Sequence, residues 1–253
     1  MDQKVIYVVG DPFAEMKRLG NIITVSDLKK QLAEGSTLDE EISYVMAQGA
    51  DRVNEGGFLK FITADTTQSR PLASSLATHK HKSHNILISA PQKVSDVLYR
   101  SNVLIDGNCA EISDHSTGLH VQGMVIMEAA RQMVTAVTED HIFPAESRGS
   151  YFFVLNQMDA NFHRFAFPFA MHIDCRLDRC ELDERGNYSC DYVMDVIQNG
   201  QSTATIRIVF KCYDKSLIAR KEEKMAAQTL ESLLAEDTRR LADQYQPSQL
   251  EPA

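Results

Sequence analysis

Positive charge is in short supply in this chain of 253 residues. Lysine and arginine number 26 against 35 aspartates and glutamates, so the formal net charge is -9 and the pI is near 5.4. Proteins that bind nucleic acid or anionic membranes carry a basic footprint, and this balance argues against both kinds of partner. With 43% apolar and 24% charged residues, the composition is that of an ordinary globular protein.

Long apolar runs are missing as well. No run approaches the length that spans a bilayer, so we expect no membrane segment. The start, MDQKVIYVVGDPF, contains a six-residue apolar run that ends at Asp11 and Pro12, which does not resemble a signal peptide. These observations predict a cytoplasmic protein.

Cysteine spacings typical of metal or disulfide sites are also lacking. The cysteines are odd in number, have no C-x-x-C spacing and mostly lie in or beside alternating apolar segments, at positions 109, 175, 180, 190 and 212. Buried free thiols in a reducing compartment fit this pattern, and we expect no metal and no cofactor. The H-K-H-K-S-H run at 79–84 invites a metal interpretation, which we disfavour because no acidic or cysteine partner is close in sequence.

The most informative stretch is residues 114–138, DHSTGLHVQGMVIMEAARQMVTAVT. Its second part is apolar almost all round at helical spacing, which predicts a buried core helix. The polar residues Glu128, Arg131 and Gln132 interrupt this pattern. Because residues three and four apart share a helix face, they lie on one side, in a row that runs back through Met124 to His120.

A carboxylate within an apolar helix calls for an explanation, because its burial is costly unless it is paired or protonated. One explanation is a structural ion pair between Glu128 and Arg131 that steadies the core or a dimer. The other is a reaction site, and the two histidines just upstream, His115 and His120, favour it.

The run HSTGLHVQGMVIMEAARQ at 115–132 resembles the signature of the A-factor biosynthesis (AfsA-type) hotdog family, and more distantly that of the 3-hydroxyacyl-ACP dehydratases. The segments HKHKSHNILIS at 79–89 and MDANFHRFAFP at 158–168 add to the resemblance, which covers roughly residues 79–213. It implies an α+β hotdog fold, in which an antiparallel sheet wraps around a long central helix.

The pattern of the remaining segments agrees with that fold. Four alternating segments with turn residues between them follow the helix and predict antiparallel strands, at 151–162, 169–182, 188–198 and 202–213. Two further strands, at 86–89 and 95–106, are predicted before the helix. Residues 214–253 are predicted to form an amphipathic helix over 215–245, packed on the sheet or on a second subunit, and a polar tail.

The first 75 residues lie outside the resemblance and predict a small α/β lobe. We expect strands at 4–9, 21–25 and 58–63, and helices capped by Ser26 and Thr37, the second of which covers 38–50. Residues 65–83 predict a linker or an ordered loop. The expected parts are therefore the lobe (1–75), the hotdog domain (79–213) and the C-terminal segment (214–253).

The resemblance also implies a reaction on an acyl thioester carried by acyl carrier protein or CoA. In hotdog dehydratases and thioesterases, the thioester carbonyl meets the N-terminus of the central helix, whose free N–H groups favour developing negative charge. Gly123 and Met124 would lie at that substrate site. Glu128 matches the dehydratases' catalytic acid, with a pKa raised by burial unless Arg131 holds it ionised. Either His115 or His120 would supply the second proton transfer.

Members of the AfsA-type family are implicated in joining a 3-oxoacyl-ACP to a phosphorylated three-carbon alcohol, which gives the precursor of a γ-butyrolactone signal. Arg131, beside Gln132, would bind the phosphate of that small-molecule acceptor. The positive charge of His79 and Lys80 would suit a phosphate or an acidic carrier protein. Dehydration or hydrolysis of the thioester, and a non-catalytic acyl-binding or scaffold role, are the alternatives. Better-known members carry two hotdog repeats, and the single run in this chain predicts a homodimer.

Overall fold

The amino-terminal residues form a parallel sheet. A computed structural model describes residues 4–35, 41–51, 70–113 and 118–244. The sheet has the order β2-β1-β3, with all strands parallel. Its elements are β1 (Lys4–Val9), a 3-10 helix (Asp11–Leu19), β2 (Ile22–Thr24), α1 (Val25–Ala33) and β3 (Ile42–Met46).

The helix predicted over 38–50 is wrong, because its central part is strand β3, which pairs with β1. Tyr44 is buried there in a small core with Val8 and Leu28. The start of α1 also differs from the prediction: Thr24, rather than Ser26, caps the helix by accepting a hydrogen bond from the N–H of Asp27. Thr37 and the strand predicted at 58–63 lie outside the described residues.

Gln48 joins this lobe to the rest of the molecule. Its side chain is fully buried, its Nε2 donates to the carbonyl of Val103 (2.9 Å), and its Oε1 accepts from the N–H of Ile105 (2.7 Å). Backbone segments meet so closely beside it that a Cβ on Gly10 would lie 1.6 Å from the carbonyl oxygen of Gly49. Part of the lobe, including Val9, Phe13 and Met16, also packs into the main hydrophobic core of the larger sheet.

The larger sheet is antiparallel and has the order β4-β5-β7-β8-β9-β6. The elements before its central helix are α2 (Ser75–Thr78), a 3-10 turn (Ser83–Asn85), β4 (Gln92–Lys93), β5 (Leu98–Asn102) and α3 (Ala110–Ser113). The central helix α4 (Gly123–Val137), a π-helical turn (Thr138–Ile142) and a 3-10 turn (Ala145–Ser147) follow. The last elements are β6 (Tyr151–Phe162), β7 (His172–Leu182), β8 (Tyr188–Gln198), β9 (Gln201–Asp214) and α5 (Lys215–Gln244).

The expected hotdog fold is confirmed, with α4 packed against strands β6 to β9. The four strands after the helix are also confirmed, whereas the long strand predicted at 95–106 is confined to β5. The strand predicted at 86–89 consists of two isolated bridges, from Ile88 to Val103 and from Ser89 to Leu72.

Helix α4 is buried along most of its length, as predicted, but Met124 in its first turn is 63% exposed. Helix α5 is confirmed over nearly the predicted range. Its large apolar side chains are exposed instead of packed on the sheet: Leu217, Met225, Leu230, Leu233, Leu234 and Leu241. Within the described residues, no helix combines the length and the apolar character needed to cross a bilayer.

Candidate functional site

Glu128 is held by three side chains, two of which, Arg131 and Gln132, lie on the α4 face predicted from helical spacing. Arg131 donates from Nε and Nη2 to the two carboxylate oxygens, both at 2.8 Å. Gln132 donates to Oε1 at 3.0 Å, and the ammonium of Lys80 lies 2.7 Å from the same oxygen. The structure thus brings together Glu128, Arg131, Gln132 and Lys80, which we call the Glu128 cluster.

Two cations fix the charge of Glu128. Burial by itself would raise the pKa of this carboxyl, but the hydrogen bonds from Arg131 and Lys80 outweigh it and lower the pKa to about 2. Glu128 is therefore ionised at neutral pH and carries no proton to donate. This geometry favours a role in holding Arg131 and Lys80, and the catalytic assignment of Glu128 stays a prediction.

Gln132 uses its polar atoms inside the protein. It is fully buried, its Oε1 accepts from the N–H of Leu87 (2.8 Å), and its Nε2 donates to the carbonyl of Asn85 (2.8 Å). The side chain therefore ties residues 85–87 to α4. Gln132 would therefore contribute to the predicted substrate site only indirectly, by holding Glu128 in position.

Glu111 is a member of the site that sequence reasoning missed. One of its oxygens lies 3.7 Å from the ammonium of Lys80. The other, Oε2, is buried and has no hydrogen-bond partner among the described residues. Only the fold brings Glu111 to Lys80, because α3 carries no sequence motif that marks it as functional.

His79 and Lys80 are adjacent in sequence but contact different carboxylates on the helical segment. Nε2 of His79 lies 2.9 Å from Oε1 of Glu139, in the π-helical turn after α4. Arg131 contacts the residue before His79, because its Nη2 lies 3.4 Å from the carbonyl oxygen of Thr78. Glu139 was not predicted, and an acidic residue following an apolar helix is the only signal that could have suggested it.

The N-terminus of α4 is the expected place for a thioester carbonyl. Its N-cap residue is Gln122, whose side chain caps no backbone N–H and whose buried Nε2 has no partner among the described residues. A Cβ on Gly123 would lie 2.9 Å from the ring of Phe162, the last residue of β6. The ring of Phe162 thus occupies the space that Gly123 leaves open. It would have to move for a substrate to reach the Gly123 backbone.

The two predicted histidines do not join the Glu128 cluster in the described part of the chain. His115 lies outside the described residues. His120 is exposed, its ring centroid is 4.9 Å from that of Phe165, and it makes no hydrogen bond or ion pair with Glu128, Lys80 or Arg131. Across residues 4–35, 41–51, 70–113 and 118–244, no group of three or more His, Cys, Asp or Glu side chains could hold a metal ion.

A family model described as the A-factor biosynthesis hotdog domain matches residues 64–214. That range contains the Glu128 cluster, Glu111, His79 and Glu139. No curated protein sequence matches the chain.

Three solved structures are similar to part of this chain. A mutant thioesterase from Pseudomonas aeruginosa is 14% identical, with 59% of this chain and 99% of that chain covered and a TM-score of 0.40. A mutant thioesterase from Staphylococcus aureus is 9% identical, with 48% and 90% covered and a TM-score of 0.36. A conserved protein from Pseudomonas aeruginosa is 14% identical, with 49% and 86% covered and a TM-score of 0.34. Similarity at this level says nothing about the reaction of this chain.

Proposed function

Because this chain belongs to the A-factor biosynthesis hotdog domain family, we propose that it acts on an acyl thioester. The reaction we propose is transfer of a 3-oxoacyl group from acyl carrier protein, or from CoA, to the hydroxyl of a phosphorylated three-carbon alcohol. The product would be an ester that leads to a γ-butyrolactone-type signal or a related secondary metabolite.

One observation carries the proposal: Glu128, at the centre of the Glu128 cluster, lies within two turns of an α4 N-terminus that its own N-cap residue leaves uncapped. Free N–H groups at a helix start stabilise the oxyanion that forms when a hydroxyl attacks a thioester carbonyl. Arg131 and Lys80 would supply positive charge for the phosphate of the acceptor. Gly123 and Met124 would lie beside the acyl group.

The partial exposure of the two cations supports this role. The side chain of Arg131 is 32% exposed and that of Lys80 is 21% exposed, although both contact Glu128. Nη1 of Arg131 makes no hydrogen bond to a residue in the described ranges, so the guanidinium retains a donor edge for a phosphate oxygen. Lys82, exposed in the segment after α2, would face an acidic carrier protein.

Product analysis tests the proposal directly. The protein is incubated with 3-oxoacyl-ACP, with and without dihydroxyacetone phosphate, and the products are identified by mass spectrometry. We expect an ester that forms only with both substrates. A free acid would indicate hydrolysis in place of transfer, and an enoyl thioester would indicate dehydration. An unchanged thioester would indicate a non-catalytic acyl-binding or scaffold protein.

A homodimer is part of the same proposal. Strand β6 lies at the edge of the sheet, is twelve residues long and exposes Phe152, Leu155 and Phe162, which is an unusual surface for a monomer. Light scattering should give about twice the chain mass of 28.4 kDa. Leu155→Lys should shift the protein to monomers, whereas Leu182→Lys, an equally exposed leucine on β7, should not. A wild-type monomer at micromolar concentration would contradict the dimer.

A further inference from the structure

Two of the five cysteines lie directly opposite each other in the antiparallel hairpin of β7 and β8. Cys180 of β7 is in register with Cys190 of β8, and the turn at 183–187 joins the two strands. The Cβ atoms of opposite residues in such a hairpin are about 4.5–5.5 Å apart. Those of a disulfide are about 3.5–4.5 Å apart, so a small approach of the two strands would be enough to link the cysteines.

An irregularity in β7 turns Cys180 towards its partner. Leu177 lies on the inner face of the sheet, opposite the buried Tyr192. Strict alternation along β7 would then place residue 179 on that face and residue 180 on the outer one. The register shifts between Leu177 and Arg179, and the extra residue brings Cys180 onto the same face as Cys190.

The two thiols contact each other but differ in their surroundings. Cys190 is 1% exposed and lies opposite Phe210 of β9, whereas Cys180 is only partly buried. The hydrogen bond from the Cys190 thiol lowers the pKa of Cys180, although burial opposes it, and the same contact raises the pKa of Cys190. The thiolate is the reactive form of cysteine, so Cys180 is the member of the pair that would react first.

The other three cysteines lack this combination of contact and exposure. Cys109, Cys175 and Cys212 are fully buried, and burial raises the pKa of each thiol. Cys212 lies opposite Tyr188 of β8, which places it diagonally across from Cys190. Diagonal neighbours are about 7–8 Å apart, beyond the usual reach of a disulfide. The geometry therefore selects the pair in the hairpin.

We propose that Cys180 and Cys190 are an oxidation site at which hydrogen peroxide converts the two thiols into a reversible disulfide between β7 and β8. The Cys180 thiolate attacks one peroxide oxygen, the O–O bond breaks and hydroxide leaves, which yields a sulfenic acid. The Cys190 sulfur then attacks the sulfenic sulfur, the S–O bond breaks, and the thiol proton leaves with that oxygen as water. The hydroxide takes up the proton that Cys180 had released. Two thiols and one peroxide thus give one disulfide and two waters, with two electrons passing from sulfur to oxygen.

The hairpin is remote from the Glu128 cluster. Tyr192, next to Cys190 on the inner face of β8, has its hydroxyl 2.9 Å from that of Thr138, after the end of α4. From Glu128 to Thr138 the helix rises about 15 Å. The inference therefore goes beyond the proposed acyl-thioester activity and does not depend on it.

Mass spectrometry of the full-length chain tests the pair without any turnover. Trypsin places each of the five cysteines in a different peptide, because Arg179, Arg185 and Lys211 precede or separate those of the hairpin and β9. The folded protein is treated with a small excess of hydrogen peroxide, remaining thiols are alkylated in urea, and the digest is analysed without reduction. The main product should be peptide 180–185 linked to peptide 186–207, and dithiothreitol should restore both thiols.

Variants and native-state alkylation provide the controls. Cys212→Ala should form the same disulfide, whereas Cys190→Ala should leave Cys180 as a sulfenic acid that dimedone traps. A thermal melt by circular dichroism checks that each variant is folded. In the untreated wild type, iodoacetamide should modify Cys180 at least about tenfold faster than Cys109.

Three results would overturn the proposal. The first is a folded wild type that keeps both thiols reduced at a peroxide concentration that oxidises free cysteine. The second is oxidation of Cys180 to a sulfinic acid without a link to Cys190, because a partner in contact should capture the sulfenic acid first. The third is a disulfide that joins either cysteine to Cys212, or Cys180 to the same residue of a second chain.

Discussion

Helix α4 and the π-helical turn after it place two glutamates against neighbouring residues, Glu128 against Lys80 and Glu139 against His79. The two carboxylates differ in their partners. Glu128 meets a guanidinium, an ammonium and an amide, whereas Glu139 meets an imidazole and one backbone N–H. The first arrangement fixes a negative charge, because both main partners are permanent cations. The second orients a group that can itself gain or lose a proton. Partner chemistry, more than burial, thus separates a structural carboxylate from one that can serve proton transfer.

The largest expected effect is on stability at Glu128. Glu128→Gln should lower the free energy of unfolding at pH 7 by about 3 kcal/mol, since a pKa lowered from 4.5 to about 2 is worth roughly 1.4 kcal/mol per unit. Glu139→Gln should cost only about 1 kcal/mol, because its amide still pairs with Gly149. Urea unfolding of both variants measures the difference. Equal losses would remove the distinction between the two glutamates.

The second effect is the dependence of stability on pH. The folded-state pKa of Glu128 is below its ordinary value, so its stabilisation is complete above about pH 4.5 and is lost as the pH falls towards 2. Between pH 5 and 3 the wild type should lose about 2 kcal/mol through this carboxyl. The stability gap between wild type and Glu128→Gln should narrow by that amount in urea titrations. A constant gap would show that Glu128 is not held ionised.

The third effect tests whether Arg131 does more than neutralise Glu128. Arg131→Lys should raise the KM for the phosphorylated acceptor about tenfold and that for the acyl carrier less than twofold, because lysine cannot reproduce the planar fork. Steady-state kinetics with each substrate varied in turn, together with the melting temperature, provide the measurement. Lower stability without a selective acceptor defect would assign Arg131 to structure alone.

The smallest effect concerns Lys82, which is exposed in the segment after α2. Lys82→Ala should raise the KM for an acidic carrier protein about twofold at low ionic strength, and the difference should disappear in high salt, where exposed charges are screened. Lys221→Ala on α5 should leave the KM unchanged at any salt concentration. A salt-independent defect in Lys82→Ala would mean that Lys82 makes a buried contact and not a surface charge contact.

Much of the fold could be predicted because its signals are local. The apolar periodicity of α4 and the alternation of β6 to β9 are each contained in one segment. The turn at 183–187 is closed by Asp183, which accepts hydrogen bonds from the N–H groups of Arg185 and Asn187. Strand β3 was mispredicted because LDEEISYVMAQ is rich in helix-forming residues, and pairing with β1, far away in sequence, outweighs that preference.

The site was predicted where it follows helical spacing and missed where it depends on the path of the chain. Glu128, Arg131 and Gln132 share a face of α4, as their spacing indicated. Glu111 reaches Lys80 from another element, and Glu139 is 60 residues from His79. Sequence spacing contains no information about such pairs, because a loop of irregular conformation brings them together.

The buried amide of Gln48 makes the amino-terminal lobe difficult to treat as a detachable module. Its side chain stands in for a peptide group at the end of β5, supplying one donor and one acceptor to the strand's continuation. A protease cut after residue 51, followed by loss of the fragment, would leave the carbonyl of Val103 and the N–H of Ile105 unpaired in an apolar environment. Lobe and hotdog sheet should therefore unfold in one cooperative transition, and a shortened chain without the lobe should be prone to aggregate.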